Sequence, residues 1–225
     1  MQKIKNYNLL KKISQREGLD LFGVADIRQI KKEFLELNGA CEELDFGISL
    51  GVRLSSSILR TICSAPTKIY FHHYRTVNSQ LDQIALRIAN FIQRKGFYAL
   101  PIPASIIVDW TKQSAHLSHK RVAFLAGLGW IGRNNLLVNK KLGSQFRLVT
   151  ILTNMPLKVD RPQKTDCGNC FLCLKVCPAG AIKENPLHFE HLKCFEKLKE
   201  FQRQKLVDQY ICGLCVKVCK GESGI

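Results

Sequence analysis

Eight cysteines close to the C-terminal end carry the most specific chemical pattern in the sequence. Four of them form a C-x2-C-x2-C-x3-C-P run, Cys167-Gly-Asn-Cys170-Phe-Leu-Cys173-Leu-Lys-Val-Cys177-Pro. This spacing is typical of cubane iron–sulfur ligation, in which a tight loop directs the first three thiolates at one cluster. The fourth cysteine is carried away from the loop and ligates a second cluster. The run therefore predicts a further set of cysteines elsewhere in the chain.

That further set follows in the sequence. It consists of Cys194 and of a shorter run, Cys212-Gly-Leu-Cys215-Val-Lys-Val-Cys219. Exchanging the fourth ligand between the two runs supplies ligands for two [4Fe–4S] clusters. One cluster is predicted on Cys167, Cys170, Cys173 and Cys219, and the other on Cys177, Cys194, Cys212 and Cys215. Zinc is the alternative, because paired cysteines also form four-coordinate zinc sites, but the proline-ended run favours iron and sulfide.

The overall composition is that of a folded protein in a reducing compartment. Among the 225 residues, 46% are hydrophobic and 23% are charged, which argues against a disordered tail or a fibrous repeat. No stretch approaches the roughly 18 consecutive apolar residues of a membrane span, and no signal-peptide core follows the first residues. We therefore expect a cytoplasmic protein with no membrane partner, in which cysteines bind metals rather than form disulfides. The remaining two, Cys41 and Cys63, are expected to be small buried hydrophobes.

Charge and cysteine content divide the chain into two parts. Through residue 155 there are 22 basic and 10 acidic side chains, and beyond it 12 and 8, so +12 of the formal +16 lies in the cysteine-poor part. We predict a cofactor- or substrate-binding module over residues 1–155 and a two-cluster ferredoxin-like module over residues 156–225. The basic surplus could meet RNA phosphates, an acidic electron carrier or the polar edge of a cofactor; a generally lysine-rich surface is the other explanation.

Hydrophobic periodicity predicts alternating helices and strands in the first module. Helical spacing covers residues 2–17, 78–95 and 114–126, and strand patterns cover residues 21–25, 48–54, 136–138 and 146–152. Residues 98–108 are predicted to be extended. Interleaved helices and strands indicate an α/β (α+β) architecture with a mixed sheet.

A glycine-rich segment connects the predicted helix 114–126 to the strand that follows it. Its string Gly127-Leu-Gly129-Trp-Ile-Gly132 matches G-x-G-x-x-G, the dinucleotide-binding fingerprint. That fingerprint follows a strand and opens a helix, whereas here a helix precedes and a strand follows, which argues against a dinucleotide. Two interpretations remain: a helix C-cap followed by a glycine turn, or a backbone surface that another planar cofactor approaches. The second makes these residues candidate cofactor ligands: Gly127, Leu128, Gly129, Trp130, Ile131, Gly132, Arg133 and Asn134.

Several of these strings together resemble a known family. The segment 126–135, Leu152-Thr-Asn154 and the two cysteine runs are similar to the epoxyqueuosine reductases and their short double-cluster relatives, a group related to reductive dehalogenases. The resemblance is strongest over residues 104–219. It implies a corrinoid, cobalamin, against the glycine segment, and two [4Fe–4S] clusters that supply electrons to it. It also implies reduction of an epoxide in a modified tRNA base, with an aspartate as the proton donor.

The aspartate is the point at which the sequence departs from that family. The family's Asp-Thr-Ala-Pro segment aligns without a gap on Gln113-Ser-Ala-His116, and the nearest acid is Asp109. Asp109 is therefore either the proton donor, placed by a local insertion, or a solvated loop acid. His116 and His119, three residues apart on the predicted helix, are the other candidate donors, against a surface or capping role. Lys220 also stands where the second cysteine run of the family usually has proline.

The sequence thus predicts an iron–sulfur oxidoreductase. Electrons would come from a small carrier, a ferredoxin or flavodoxin, and pass through the clusters to a corrinoid that reduces a substrate which the sequence does not identify. A tRNA base has little support as that substrate, because the chain ends at Ile225 without the helical-repeat extension that full-length members use toward tRNA. The alternative is a ferredoxin-like electron-transfer or corrinoid-activating partner protein with no substrate of its own.

Overall fold

The computed structural model describes residues 1–37 and 39–221, and all bounds below refer to them. Helices α1 to α7 span Gln2–Arg16, Ser56–Arg60, Lys68–Arg94, His119–Leu125, Leu172–Lys175, His191–Arg203 and Leu214–Val218. Strands β1 to β6 span Leu21–Asp26, Phe46–Arg53, Ala99–Ile102, Trp130–Ile131, Leu137–Val138 and Phe146–Thr153. Within these residues, no helix is both long and apolar enough to cross a membrane.

A four-stranded sheet with the order β1-β2-β6-β3 is the main β structure. Strand β1 pairs antiparallel with β2, and β3 pairs antiparallel with β6. Gly47 lies beside Leu152 and Gly51 lies beside Arg147, so β2 and β6 run antiparallel as well. The fold is therefore a mixed α/β fold, as predicted, but the expected mixed sheet is wrong. Although helices interrupt the connections, each strand runs antiparallel to the strand beside it in the sheet.

Helices cover this sheet because their apolar residues recur at helical spacing. Five residues of the stripe that the spacing predicts in α3 are buried and the sixth, Phe91, is half-buried; the five are Leu81, Ile84, Ala85, Ile88 and Ile92. Helix α4 packs against β1, and its Val122 lies against Gly47 of β2. Strand β2 is buried on both faces apart from its two end residues, which shows that protein covers the sheet on both sides.

Contacts divide the chain into two compact units. The first contains residues 1–52, 78–128 and 147–163, and the second contains residues 53–77, 129–146 and the chain from 164 onward. The four-stranded sheet belongs to the first unit, and the β4–β5 pair and the eight clustered cysteines belong to the second. These units do not follow the predicted division at residue 155, because residues 53–77 and 129–146 group with the cysteine segment. Whether residues 1–155 and 156–225 are separate domains remains a prediction.

Two helices begin at other residues than the periodicity indicated. Helix α3 begins at Lys68, ten residues before the predicted start. Helix α4 begins at His119 because Ser118 caps it: the Ser118 hydroxyl accepts a hydrogen bond from the Arg121 N–H at 3.4 Å. His116 therefore lies outside the helix, and the expected helical pair of His116 and His119 does not form.

Candidate functional site

Four thiols of the second unit line one cavity. Cys167, Cys170, Cys173 and Cys219 contribute to its wall, and its volume is about 610 Å³. Cys173 lies in α5, Cys219 directly follows α7, and these two short helices pack against each other. The packing brings the last cysteine of the second run to the first three of the first run, which is the grouping that the crossed assignment requires.

The pKa shifts of these thiols indicate the same grouping. Burial, and after it the neighbouring thiols of Cys219, Cys167 and Cys170, raises the pKa of Cys173 to about 11. Burial also raises the pKa of Cys219, and Cys167 contributes in the same direction. These side chains are close enough to repel one another as thiolates, so a bound cation or cluster is needed to hold them deprotonated together at neutral pH.

The other four thiols form a second group around α6 and α7. Burial raises the pKa of Cys194 to about 11, with Cys177 as its charged neighbour. Burial likewise raises the pKa of Cys212 to about 11, with Cys194 and Cys177 as neighbours, and it raises that of Cys215 well above its usual value. Cys173 is one neighbour of Cys215 as well, which means that the two groups are adjacent.

The donor chemistry of both groups fits a [4Fe–4S] cluster, which takes one thiolate for each of its four irons. Each group contains four cysteines on loops and helix ends, and the first surrounds a cavity. Among the described residues, no set of three or more His, Cys, Asp or Glu side chains is arranged to hold a single metal ion. All eight thiols are free of disulfides.

Arg133 holds the loop that carries the first two cysteines. Its guanidinium donates to the carbonyl oxygens of Cys170 at 3.2 Å, Gly168 at 2.9 Å and Glu184 at 2.6 Å. It also stacks over the Phe171 ring, with 4.4 Å between Cζ and the ring centroid. Two charge-assisted hydrogen bonds and a cation–π contact thus fix this loop, and the third hydrogen bond ties it to Glu184.

The glycine segment begins as a helix C-cap. Gly127 has φ +69, its N–H donates to the Phe124 carbonyl, and the Leu128 N–H donates to the Ala123 carbonyl, which together form a Schellman motif. A Cβ on Gly127 would lie 2.5 Å from the Arg161 carbonyl oxygen, so the protein's own backbone occupies that space. The segment therefore begins as the helix C-cap and glycine turn of the first interpretation. It does not have the strand–loop–helix order of a dinucleotide fingerprint.

The rest of the segment lies in the second unit, where it faces the first group of thiols. A Cβ on Gly132 would lie 2.6 Å from Val138 and 3.4 Å from Cys167 Sγ. Trp130, Arg133 and Asn134 line the same cavity as the four thiols. These residues thus contact the proposed cluster site, and whether Gly127 to Asn134 bind a corrinoid stays a prediction.

Asp109 stabilises a tight turn. Its Oδ1 accepts hydrogen bonds from the Thr111 and Lys112 N–H groups, both at 2.9 Å, and its backbone forms an isolated bridge with Ser114. Its side chain is 31% exposed, and Oδ2 lies 4.0 Å from Lys112 Nζ. The carboxylate thus has a structural function in the turn, and its Oδ2 faces Lys112.

His119 links two parts of the first unit. Its Nε2 lies 2.9 Å from the Pro103 carbonyl oxygen, and its Nδ1 lies 2.8 Å from Thr150 Oγ1. A carbonyl only accepts, so Nε2 carries the hydrogen and Nδ1 accepts from the Thr150 hydroxyl. Burial lowers the pKa of His119 to about 4, and nearby Arg147 acts in the same direction. His119 is therefore neutral at pH 7 and is held by both ring nitrogens, which does not suit a proton donor.

We expect this half-buried neutral histidine to make folding stability depend on pH. Because the pKa is about 4 in the folded state and 6.5 in the unfolded state, its contribution is complete above pH 6.5 and is lost as the pH falls toward 4. The loss should amount to roughly 2–3 kcal/mol. Urea unfolding of the protein and of His119→Gln at pH 7.5, 6 and 5 measures it.

Glutamine can make both hydrogen bonds and does not titrate, so His119→Gln should unfold with a weaker pH dependence than the natural protein. His188→Gln is the control, because the His188 side chain is exposed. If both variants follow the pH dependence of the natural protein, His119 is not the group that titrates.

The two cysteines outside the groups are more exposed than expected. Cys41 is half-buried and Cys63 is exposed, so the prediction that both lie in the core is wrong for Cys63 and only partly right for Cys41. Each lies in or beside a turn, where the neighbouring backbone does not close over the side chain.

Two side-chain donors to the first group of thiols were not identified from the sequence. The Trp130 indole N–H lies 3.3 Å from Cys167 Sγ, and the Ser144 hydroxyl hydrogen-bonds Cys219. Trp130 was singled out only as part of the glycine segment. Ser144 has no local signal, because its position near Cys219 depends on the fold.

Comparisons with known proteins give one family of relatives. No protein-family model matches the chain. An epoxyqueuosine reductase of Cyclobacterium marinum is 25% identical over 248 aligned residues, which cover 96% of this chain and 78% of that protein. An epoxyqueuosine reductase of Pseudomonas aeruginosa is 34% identical over 145 residues, covering 61% of this chain and 37% of that protein. The chain is therefore a homologue of epoxyqueuosine reductases.

Solved structures show the same fold. A catabolic reductive dehalogenase matches 99% of this chain with a TM-score of 0.75 and 18% identity, and this chain covers 33% of it. The epoxyqueuosine reductase of Streptococcus thermophilus matches 97% of this chain with a TM-score of 0.64 and 20% identity, and this chain covers 66% of it. The chain thus spans about a third of the dehalogenase and about two thirds of the reductase.

Proposed function

We propose that this chain is an iron–sulfur oxidoreductase of the epoxyqueuosine reductase type, which binds two [4Fe–4S] clusters and passes single electrons to a corrinoid. The ligands of one cluster would be Cys167, Cys170, Cys173 and Cys219, and those of the other Cys177, Cys194, Cys212 and Cys215. The observation that carries the proposal is the association of the eight thiols in two groups of four, with the last cysteine of each run in the other run's group.

The bound clusters would supply one-electron transfer, and the chain's own residues prepare their sites. Arg133 fixes the loop of the first group through two of its carbonyl oxygens and ties it to the Glu184 carbonyl. Burial raises the pKa of Cys173, Cys194 and Cys212 to about 11, so these free thiols are protonated at neutral pH and cluster assembly has to release their protons, which becomes easier as the pH rises.

A small acidic electron carrier, a ferredoxin or flavodoxin, is the proposed electron donor. Lys164, Lys220 and Arg133 line the cavity of the first group, where they give its rim a positive charge. Electrostatic attraction would then direct an acidic carrier to the side of the protein that contains a cluster, and would weaken as salt is added.

The corrinoid is supported by similarity and not by a cradle in the glycine segment. One reductive dehalogenase with this fold, with a TM-score of 0.67, is described by a structure that suggests a mechanism for B12-dependent dehalogenation. The spaces beside Gly127 and Gly132, in contrast, are occupied by the chain itself. The proposal therefore assigns cobalamin as the electron acceptor without assigning any reaction step to the glycines.

The substrate class is proposed from the relatives as well. One epoxyqueuosine reductase with this fold, with a TM-score of 0.62, has been solved with an epoxyqueuosine-modified tRNA stem loop. The formal charge of +16 is compatible with an RNA ligand. An epoxyqueuosine-modified stem loop is accordingly the first substrate to test.

Asp109→Asn tests the proposed proton donor. Asparagine keeps the Oδ1 acceptor for the Thr111 and Lys112 N–H groups but carries no acidic proton. If Asp109 donates the proton, turnover of the stem loop should fall by about 10²- to 10⁴-fold while the iron content stays unchanged. Asp208→Asn, at an exposed position, is the control. Turnover of Asp109→Asn at the full rate would leave Asp109 with its structural function alone.

A second candidate function is that of a ferredoxin-like electron-transfer or corrinoid-activating partner without a substrate of its own. It is favoured by the location of all eight thiols in one compact unit, because cluster binding then requires nothing from the unit that contains the sheet.

Anaerobic reconstitution with iron and sulfide, followed by titration with cobalamin, distinguishes the two functions. Two [4Fe–4S] clusters require about eight irons per chain, and a content near two zinc or near four iron would refute the two-cluster assignment. A change in the cobalt absorbance and EPR spectra on adding the protein supports the reductase. Unchanged cobalt spectra with eight irons present would support the electron carrier.

A further inference from the structure

Two side chains donate hydrogen bonds to the first group of thiols from a buried position. The first is Trp130 in β4, which is 5% exposed and whose indole nitrogen lies 3.3 Å from Cys167 Sγ. An indole N–H is a donor only, so the sulfur is the acceptor. The pairing of Trp130 with Val138 in β5 fixes the ring, and Gly132 leaves room for the sulfur, 3.4 Å from where a Cβ would lie.

The second donor is Ser144, which is 3% exposed and hydrogen-bonds the Cys219 thiol. The Asn134 side-chain amide donates to Ser144 Oγ at 3.1 Å, and Asn134 Oδ1 accepts from the Leu136 N–H at 3.3 Å. Because Ser144 Oγ accepts from Asn134, its own hydrogen is available to Cys219. The Ser144 backbone N–H also donates to the Cys219 carbonyl oxygen at 3.3 Å, which holds the two residues side by side.

Hydrogen bonds of this kind matter most for a redox group. Reduction adds one negative charge to a cluster, and part of that charge resides on the ligand sulfurs. Donors aimed at those sulfurs stabilise the reduced state and raise the reduction potential, and more so in a poorly solvated site. The donor on Cys212 in the second group is, by contrast, the backbone N–H of Leu214.

We propose that Trp130 and Ser144 raise the reduction potential of the cluster on Cys167, Cys170, Cys173 and Cys219. Trp130 and Ser144 are positioning residues for this cluster, since they contact ligand sulfurs. The inference rests on the proposed function, because it requires that cluster to be present.

The test is a redox titration of the reconstituted protein with dithionite, followed by EPR, for Trp130→Phe, Ser144→Ala and the natural protein. Trp110→Phe is the control, because Trp110 is the other of the two tryptophans and is 58% exposed. Each single variant should shift the reduced-to-oxidised ratio of one cluster about fivefold toward the oxidised form. The double variant should shift it at least tenfold, which is about 59 mV for a one-electron couple. Trp110→Phe should leave both potentials unchanged.

A measurement on the natural sequence covers the possibility that the variants fold poorly. Indole-¹⁵N labelling of tryptophan should give a hyperfine coupling to one reduced cluster, and the coupling should persist in Trp110→Phe. Eight irons per chain with no ¹⁵N coupling, or with unshifted potentials in both variants, would overturn the inference and leave the two-cluster assignment intact. A chain that binds fewer than about eight irons would overturn both.

Discussion

Cys219→Ser is expected to remove the cluster on Cys167, Cys170 and Cys173 and to leave the other cluster in place. Cys219 follows α7 in the sequence, but it lines the cavity of the first three cysteines, so the variant deprives that group of its fourth thiolate. A serine hydroxyl is a poor replacement, because cubane ligation uses thiolates. Iron analysis after reconstitution should fall from about eight to about four per chain.

Cys177→Ser is the matched variant, since Cys177 ends the first run but neighbours Cys194 and Cys212. It should also lose about four irons, from the other cluster. The two variants can be told apart by the indole-¹⁵N coupling, which should vanish in Cys219→Ser and persist in Cys177→Ser. Cys63→Ser, at an exposed position outside both groups, should keep about eight irons. The reverse result for the two ligand variants would mean that each run supplies all the ligands of one cluster.

The spacing of the cysteines along the chain predicts the ligand grouping because it sets the reach of each thiolate, and the cavity that Cys219 shares with the first three cysteines agrees with it. A loop with two residues between cysteines can direct three sulfurs at one cubane, and a fourth cysteine beyond a helix cannot turn back. The same reasoning gave the apolar stripe of α3, whose buried residues recur at helical spacing, and the strands β1, β2 and β6, which are mostly buried apolar segments. The stripe and the strands depend on local sequence alone.

Features that depend on distant parts of the chain could not be predicted in this way. The antiparallel sheet depends on how the connections fold back, and the compact units combine residues 53–77 and 129–146 with the cysteine segment. His119 was singled out as a candidate donor, but its contacts with Pro103 and Thr150 give it a structural function. Ser144 donates to Cys219 from a position that no sequence pattern marks.

Gly143 lies where the backbone near Cys219 is closely packed, so replacing it is expected to have a large effect. Gly143 directly precedes Ser144 and has φ +59, and a Cβ there would overlap the Cys219 carbonyl group and lie 2.7 Å from the Gly221 nitrogen. These contacts are with backbone atoms, which cannot rotate away as a side chain can. Gly143→Ala should therefore displace the segment that carries Cys219, remove the Ser144 donor and prevent the first cluster from forming.

Gly180→Ala separates this steric effect from the conformational one. Gly180 has φ +58, nearly the same as Gly143, but no atom lies within 4 Å of where its Cβ would be. Both variants should lose about 1 kcal/mol because alanine is strained at positive φ. Gly143→Ala should lose roughly 1–3 kcal/mol more from overpacking, and about four irons per chain. Equal urea midpoints and equal iron contents for the two variants would mean that the backbone at Gly143 can move apart without disturbing Cys219. The first cluster would then tolerate looser packing of residue 143 against Cys219 and Gly221.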